Sequence, residues 1–197
     1  MKWLGLTGGI ATGKSTVKKL IQSRGFKVID ADEISHELTS PGRLGYQKII
    51  SYFGTDILNP DSSLNRQKLG ALVFSNESQR LQLESILHPL IQEEVSRLKE
   101  IYRQQKEKIC FYDIPLLYEK SRQAEFDATV VVWCHPDKQK IRLMHRNHLT
   151  DEQANLRLKA QWPLSEKIRR ANHCLDNSTD LDALSWQVKA LLQKILS

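Results

Sequence analysis

The chain has 197 residues, of which 40% are hydrophobic and 26% charged, with a formal charge of +6 and a mean hydropathy of −0.45. That is enough for one α/β domain with a full core. No apolar run approaches bilayer-spanning length and no secretory pattern precedes the first apolar segment, so the expectation is a cytoplasmic chain without a membrane partner.

Lys2–Thr7 reads as a short buried strand. The pattern G-x-x-x-x-G-K-[ST] follows it, filled by Gly8, Gly13, Lys14 and Ser15, and embedded in Gly9-Ile10-Ala11-Thr12-Gly13-Lys14-Ser15-Thr16. A loop that wraps a phosphate must turn backbone N–H groups inward, and glycine permits the backbone angles required. The loop then opens a helix whose first N–H groups have no partner, which suits an anion. Lys14 reaches the β- and γ-phosphates of a nucleoside triphosphate, and the Ser15 hydroxyl ligates Mg²⁺. Val17, Leu20 and Ile21 carry the helix on, and Gly25 stands where it would end.

Phe26–Asp30 reads as a second strand leading into Asp30-Ala31-Asp32. A strand, a helix and a strand imply a parallel pair, with ligands outside the carboxyl ends of the strands. Asp32 is thus either a group facing a substrate or the N-cap of a helix over Glu33–Leu38. Residues 42–105 are mostly helical: Gly42–Phe53, then Leu64–Phe74 with Leu69, Leu72 and Val73 inward, then a long helix opened by Asn76 and Gln79. Pro89 is expected to break or kink that helix. His88 is either part of an acceptor site or a buried imidazole at the junction. A helical insertion this long is not needed to build a sheet, and it is the place for an acceptor.

Lys108–Asp113 reads as the third strand, followed by Ile114-Pro115-Leu116-Leu117-Tyr118-Glu119. Asp113 at the strand's carboxyl end can hold Mg²⁺ water or orient the acceptor; the alternative is a hydrogen bond to a neighbouring loop. Asp127–Cys134 contains a continuous apolar run, the mark of a parallel strand covered on both faces. Lys138–Asn147 is helical, Thr150 and Gln153 form a capping box for Asp151–Ala160, and Ser165–Ala171 is a further short helix. Asn172–Asn177 reads as a fifth strand with its turn, and Asp180–Leu196 as a closing amphipathic helix. Cys110, Cys134 and Cys174 are odd in number and lack metal-ligand spacing, so buried reduced thiols are expected.

Residues 138–170 hold nine cations and three anions, which accounts for the whole charge excess. A basic surface can mean nucleic acid, but a cover over polyphosphate fits equally. Arg142 and Arg146 are four apart and share a helix face, where they either grip phosphate oxygens or stand in solvent. The scattered aromatic residues form no base-stacking series. The N-K-x-D and D-x-x-G patterns of GTPases are absent.

The chain resembles the dephospho-coenzyme A kinases. The resemblance is carried by Leu6-Thr7-Gly8-Gly9-Ile10 leading into Gly13-Lys14-Ser15-Thr16, by Val28-Ile29-Asp30-Ala31-Asp32, and by Asn65-Arg66 with Leu69. Further on it is carried by Val73-Phe74, Leu87-His88-Pro89, Asp113–Glu119, Arg142 to Arg146, Gln161 and Asp176-Asn177. It implies an α/β fold: a P-loop NTPase-like five-stranded parallel sheet flanked by helices, with a helical substrate-binding insertion and a helical lid. One domain over 1–197 would comprise a core of 1–40, 106–136 and 172–197, an acceptor-binding region over 41–105 and a lid over 137–171. The implied reaction transfers phosphate from ATP, with Mg²⁺, to the ribose 3′-hydroxyl of dephospho-coenzyme A. Asp32 becomes the base or orienter of that hydroxyl, with Lys14 and Arg146 completing the catalytic set. Gly9 to Thr16, Arg142 and Asn177 hold ATP; Arg66, His88, Leu116, Leu117 and Glu119 join Asp32 in receiving the acceptor. A monomer with no nucleic-acid partner is expected. Ala11 stands where many members have Gly, which is harmless if its φ is negative, and Tyr118 adds a hydroxyl to a frequent Phe. Other acceptors of a small P-loop kinase, or a nucleotide-gated binder of RNA or protein, are the competing readings.

Overall fold

A computed structural model describes all residues, 1–197, and divides them into two compact units: Met1–Ile29 with Tyr102–Ser197, and Asp30–Ile101. The first unit is built on a five-stranded parallel sheet of order β2-β3-β1-β4-β5, in which β1 is Lys2–Gly8, β2 Lys27–Asp30, β3 Ile109–Asp113, β4 Ala128–Trp133 and β5 His173–Asp176. β1 lies at the centre, with Leu6 beside Asp113 on one side and beside Val130 on the other. The chain moves outward from β1 to β2 and crosses back past β1 between β3 and β4. The carboxyl end of β1 is therefore the point where strand order reverses, the place such sheets leave a crevice for ligands.

The buried faces explain the apolar strands. Leu4, Leu6, Phe111, Val130 and Val132 pack with Val17 and Ile21 of α1 (Lys14–Gln22) and with Leu184, Val188, Leu192 and Ile195 of the last helix. Covered on both sides, β3 and β4 need no alternation of apolar and polar residues.

The second unit is helical. It begins with α2 (Ala31–Leu38) and continues through α3 (Leu44–Phe53), α4 (Arg66–Ser75) and most of α5 (Glu77–Gln104). Ile49, Ile57, Leu64 and Leu69 form its own core. α5 runs through Pro89 without interruption. A proline removes one intrahelical bond and costs about 3 kcal/mol, but Leu90 directly after it and Val95 a turn and a half further on are buried, and burial of such side chains offsets a cost of that size. His88 is exposed, so the buried-imidazole expectation does not hold.

Returning to the first unit, three helices lie between β4 and β5: α6 (Pro136–Asn147), α7 (Asp151–Lys159) and α8 (Leu164–Arg170). The capping box at Thr150 and Gln153 is present with both of its hydrogen bonds. The closing helix is α9 (Leu181–Leu196). Cys110 and Cys134 are buried thiols, whereas Cys174 is exposed because its edge strand β5 turns it outward. No helix is long and apolar enough to cross a membrane.

Candidate active site

The loop after β1 is built by backbone conformation. Gly13 has φ 91° and ψ 25° and precedes α1, which has no side-chain cap and no acid in its first turn. The N–H groups and positive dipole end of α1 thus have no anionic partner of their own, which is the electrostatic condition for binding a phosphate there. A Cβ on Gly13 would stand 2.0 Å from Asn177 Nδ2. That amide donates to the Thr12 carbonyl at 2.8 Å, so Asn177 braces the loop through its backbone. Ala11 has φ 60°. Its left-handed backbone removes the condition under which Ala for Gly was harmless, and a non-glycine residue there carries roughly 1–2 kcal/mol of strain.

Lys14 forms an ion pair with Asp113, which is 2% exposed. Asp113 sits at the carboxyl end of β3, in register with Leu6. The buried carboxylate holds the lysine ammonium beside the loop. Ser15 is exposed on the first turn of α1. No cluster of three or more His, Cys, Asp or Glu side chains could cage a metal ion. The Ser15 hydroxyl is an oxygen of the kind Mg²⁺ takes, one or two from the protein, with phosphates and water completing its shell.

The segment between β4 and β5 grips the same loop. Gln139 Nε2 of α6 donates to the Ile10 carbonyl at 2.8 Å, and the Ile10 N–H donates to Gln161 Oε1 at 2.8 Å. The two peptide groups flanking Ile10 are each held by a glutamine. Arg142 donates to the Asn177 carbonyl at 3.1 Å. It lies beside Cys134, whose thiol burial pushes up in pKa against the pull of that guanidinium. Arg146 is exposed at the end of α6, its Nε on Asn147 Oδ1 at 3.0 Å.

The dephospho-CoA kinase family profile matches residues 2–183. The chain belongs to the dephospho-CoA kinase family. A dephospho-CoA kinase from Bacillus thuringiensis subsp. konkukian is 42% identical over 191 residues, covering 97% of this chain and 96% of that one. The crystal structure of TT1252 from Thermus thermophilus matches with a TM-score of 0.81 at 30% identity, over 98% of this chain and 97% of that one. A dephospho-CoA kinase structure from Campylobacter jejuni matches with a TM-score of 0.68 at 28% identity, with the same coverage.

Within this kinase, the residues read from the sequence fall into distinct settings. Gly9 to Thr16, Lys14, Arg142 and Asn177 gather around the loop, with Asn177 and Arg142 joined to each other. Leu116 is exposed, but Leu117 is fully buried with its Cδ1 against Gly5, so packing against the sheet removes it from any acceptor surface. Glu119 is engaged by the Lys167 ammonium at 2.7 Å and by the Trp162 N–H at 3.1 Å. In the helical unit, Arg66 donates to Thr39 Oγ1 at 2.8 Å and to the His36 carbonyl at 3.4 Å. Asp30, not Asp32, caps α2, accepting from the N–H groups of Asp32 and Glu33 at 2.8 and 3.1 Å. Asp32 is the second residue of that helix and is exposed. Sequence reasoning gave no role to Gln139 or Lys167. Gln139 carried no signal, and Lys167 read as one more charge on a basic helix.

Proposed function

We propose that the kinase transfers the γ-phosphoryl group of ATP to the ribose 3′-hydroxyl of dephospho-coenzyme A, giving coenzyme A. The observation that carries the reading is the uncapped start of α1 behind Gly13, with Lys14 held beside it by Asp113. Phosphoryl transfer needs alignment and charge neutralisation more than covalent help. The amides of the loop and Lys14 supply both for the β- and γ-phosphates. Ser15 would hold Mg²⁺, which would supply positive charge at the phosphate oxygens. Arg142 and Arg146 supply further charge to the phosphates, and Asn177 keeps the loop open in the required shape.

Asp32 orients the acceptor hydroxyl and takes its proton late. An ordinary aspartate is a weak base, and in a loose transition state the nucleophile's proton departs after most of the bond cleavage. The exposed Asp32 carboxylate, relieved of capping by Asp30, is consistent with that task. Leu116, Arg66 and His88 belong to the acceptor side of the reading. The kinase is taken to act as a cytoplasmic monomer.

An ADP-release assay tests this directly. Dephospho-coenzyme A should drive ADP formation, while nucleoside monophosphates and shikimate should not. Asp32→Asn should lower kcat by a factor of about 10²–10⁴, the usual range for a positioned proton acceptor, with ATP affinity within about twofold. Turnover by Asp32→Asn at the parent rate would remove the aspartate from the mechanism, and a preference for another alcohol would replace the acceptor.

A further inference from the structure

Lys167 of α8 is fully buried, an unusual place for an ammonium. Its Nζ lies 2.7 Å from Glu119 Oε1 and 3.3 Å from the carbonyl of Gly8. The same Glu119 oxygen accepts the Trp162 N–H at 3.1 Å, while Glu119 Oε2 is buried and accepts no hydrogen bond. Burying such a pair costs several kcal/mol of desolvation, and apolar residues of similar volume often stabilise a fold as well or better. Packing alone therefore does not explain a lysine here.

The partners suggest what does. Gly8 is the last residue of β1 and the first of the phosphate loop. Trp162 follows Gln161, whose carboxamide oxygen takes the Ile10 N–H. A single carboxylate thus fixes both the ammonium that holds Gly8 and the connection that holds Ile10. We infer that Lys167 and Glu119 are positioning residues for the phosphate loop: they set the direction of the Gly8–Ile10 backbone and so the fit of the nucleotide phosphates. Glu119 then serves the nucleotide side of the reaction through the loop and does not bind the acceptor. The inference rests on the loop being the ATP site.

The test compares Lys167→Met, Lys167→Arg, Glu119→Gln and the double variant Lys167→Met/Glu119→Gln, in the full chain. ATP affinity is measured by titration calorimetry, KM by steady-state kinetics for each substrate, and Tm by circular dichroism. Lys167→Met should weaken ATP binding about tenfold, the equivalent of one charged hydrogen bond, with the KM for dephospho-coenzyme A within about twofold. Lys167→Arg should recover part of the affinity. In the double variant both buried charges leave together, so Tm should return to within a few degrees of the parent. Its ATP affinity should stay low, because the Gly8 carbonyl still lacks its donor. Should Lys167→Met fail to fold, the double variant carries the measurement alone. Parental ATP affinity in the double variant, or affinity that recovers in step with Tm, would show the pair to be structural only. A raised KM for dephospho-coenzyme A in Glu119→Gln, with ATP binding intact, would overturn it in favour of acceptor binding. A parent chain that bound no ATP would sink the kinase reading instead, so the two failures are separable.

Discussion

Gly13→Ala is the sharpest single perturbation of the phosphate loop, because two separate constraints meet at one atom. The backbone there has φ 91°, and the new methyl would stand 2.0 Å from Asn177 Nδ2 and 3.2 Å from Asn177 Cγ. The left-handed backbone costs an alanine roughly 1–2 kcal/mol. The clash displaces the Asn177 amide and breaks its 2.8 Å bond to the buried Thr12 carbonyl, which costs about 1–3 kcal/mol. Gly13→Ala should thus lose about 2–5 kcal/mol, or roughly 4–20 °C in Tm for a chain of this size. Asn177→Ala alone removes the same hydrogen bond without straining the backbone and should lose about 1–3 kcal/mol. In the double variant that bond can be lost only once, so its stability should equal that of Gly13→Ala alone. The two changes then fall short of additivity by about 1–3 kcal/mol, well above the few tenths expected of independent sites. Urea denaturation of the four proteins measures this. Losses that simply sum, to within about 0.5 kcal/mol, would refute the claim that Asn177 braces the loop against Gly13.

Two further changes follow from the same geometry. Ala11→Gly relieves about 1–2 kcal/mol of left-handed strain and adds about 0.5–1 kcal/mol of backbone entropy to the unfolded chain, a net gain of about 0–1.5 kcal/mol; thermal unfolding should show Tm held or raised by up to roughly 6 °C, and a fall would contradict the φ of 60° at that position. Tyr118→Phe removes a hydroxyl 2.8 Å from Thr129 Oγ1, yet Thr129 keeps its 3.0 Å bond to Asn172 Oδ1. Its loss should stay near 1 kcal/mol in chemical denaturation, whereas Thr129→Val, which strands the buried Tyr118 hydroxyl while Asn172 Oδ1 keeps the Thr129 N–H at 2.8 Å, should lose about 1–3 kcal/mol.

The parts that were legible in the sequence are those specified locally. A Gly-Lys-Ser turn between a strand and a helix is a run of adjacent residues, and so are the capping box at Thr150 and the apolar strand through Val130–Val132. Each element that follows from them appears in the fold within a residue or two of its expected ends. The illegible parts depend on chain segments far apart. Gln139 meets Ile10 across more than a hundred residues, and nothing in its neighbours marks it. The cap of α2 was legible in kind but not in place: Asp30 and Asp32 are both suitable, and only the extended backbone at Asp30 decides. Pro89 does not break α5, whose next buried residues are Leu90 and Val95; there the local rule yields to packing.

The fate of the basic segment joins these threads. As composition, nine cations over 138–170 suit a nucleic-acid surface or a phosphate cover equally. Folding assigns several of them to other tasks. Lys140 pairs with Asp151 at 2.5 Å, Arg169 with Glu166 at 2.7 Å, and Lys167 with Glu119. Lys138 reaches the Ser178 carbonyl, Arg142 the Asn177 carbonyl, and Arg170 lies 4.9 Å from the Trp162 ring centroid. Arg146, Arg157 and Lys159 stand exposed on α6 and α7. A surface for nucleic acid draws its affinity from many phosphate contacts made at once; of the six exposed cations here, Lys138, Arg169 and Arg170 already meet the Ser178 carbonyl, Glu166 and the Trp162 ring, which leaves Arg146, Arg157 and Lys159. A triphosphate needs only one or two well-placed ones, because the loop amides and Lys14 already meet it. The distribution of these charges suits a small anion. Arg146 is the residue on which that distinction turns, since it ends α6 four residues beyond Arg142, whose guanidinium already touches the backbone of the loop's brace.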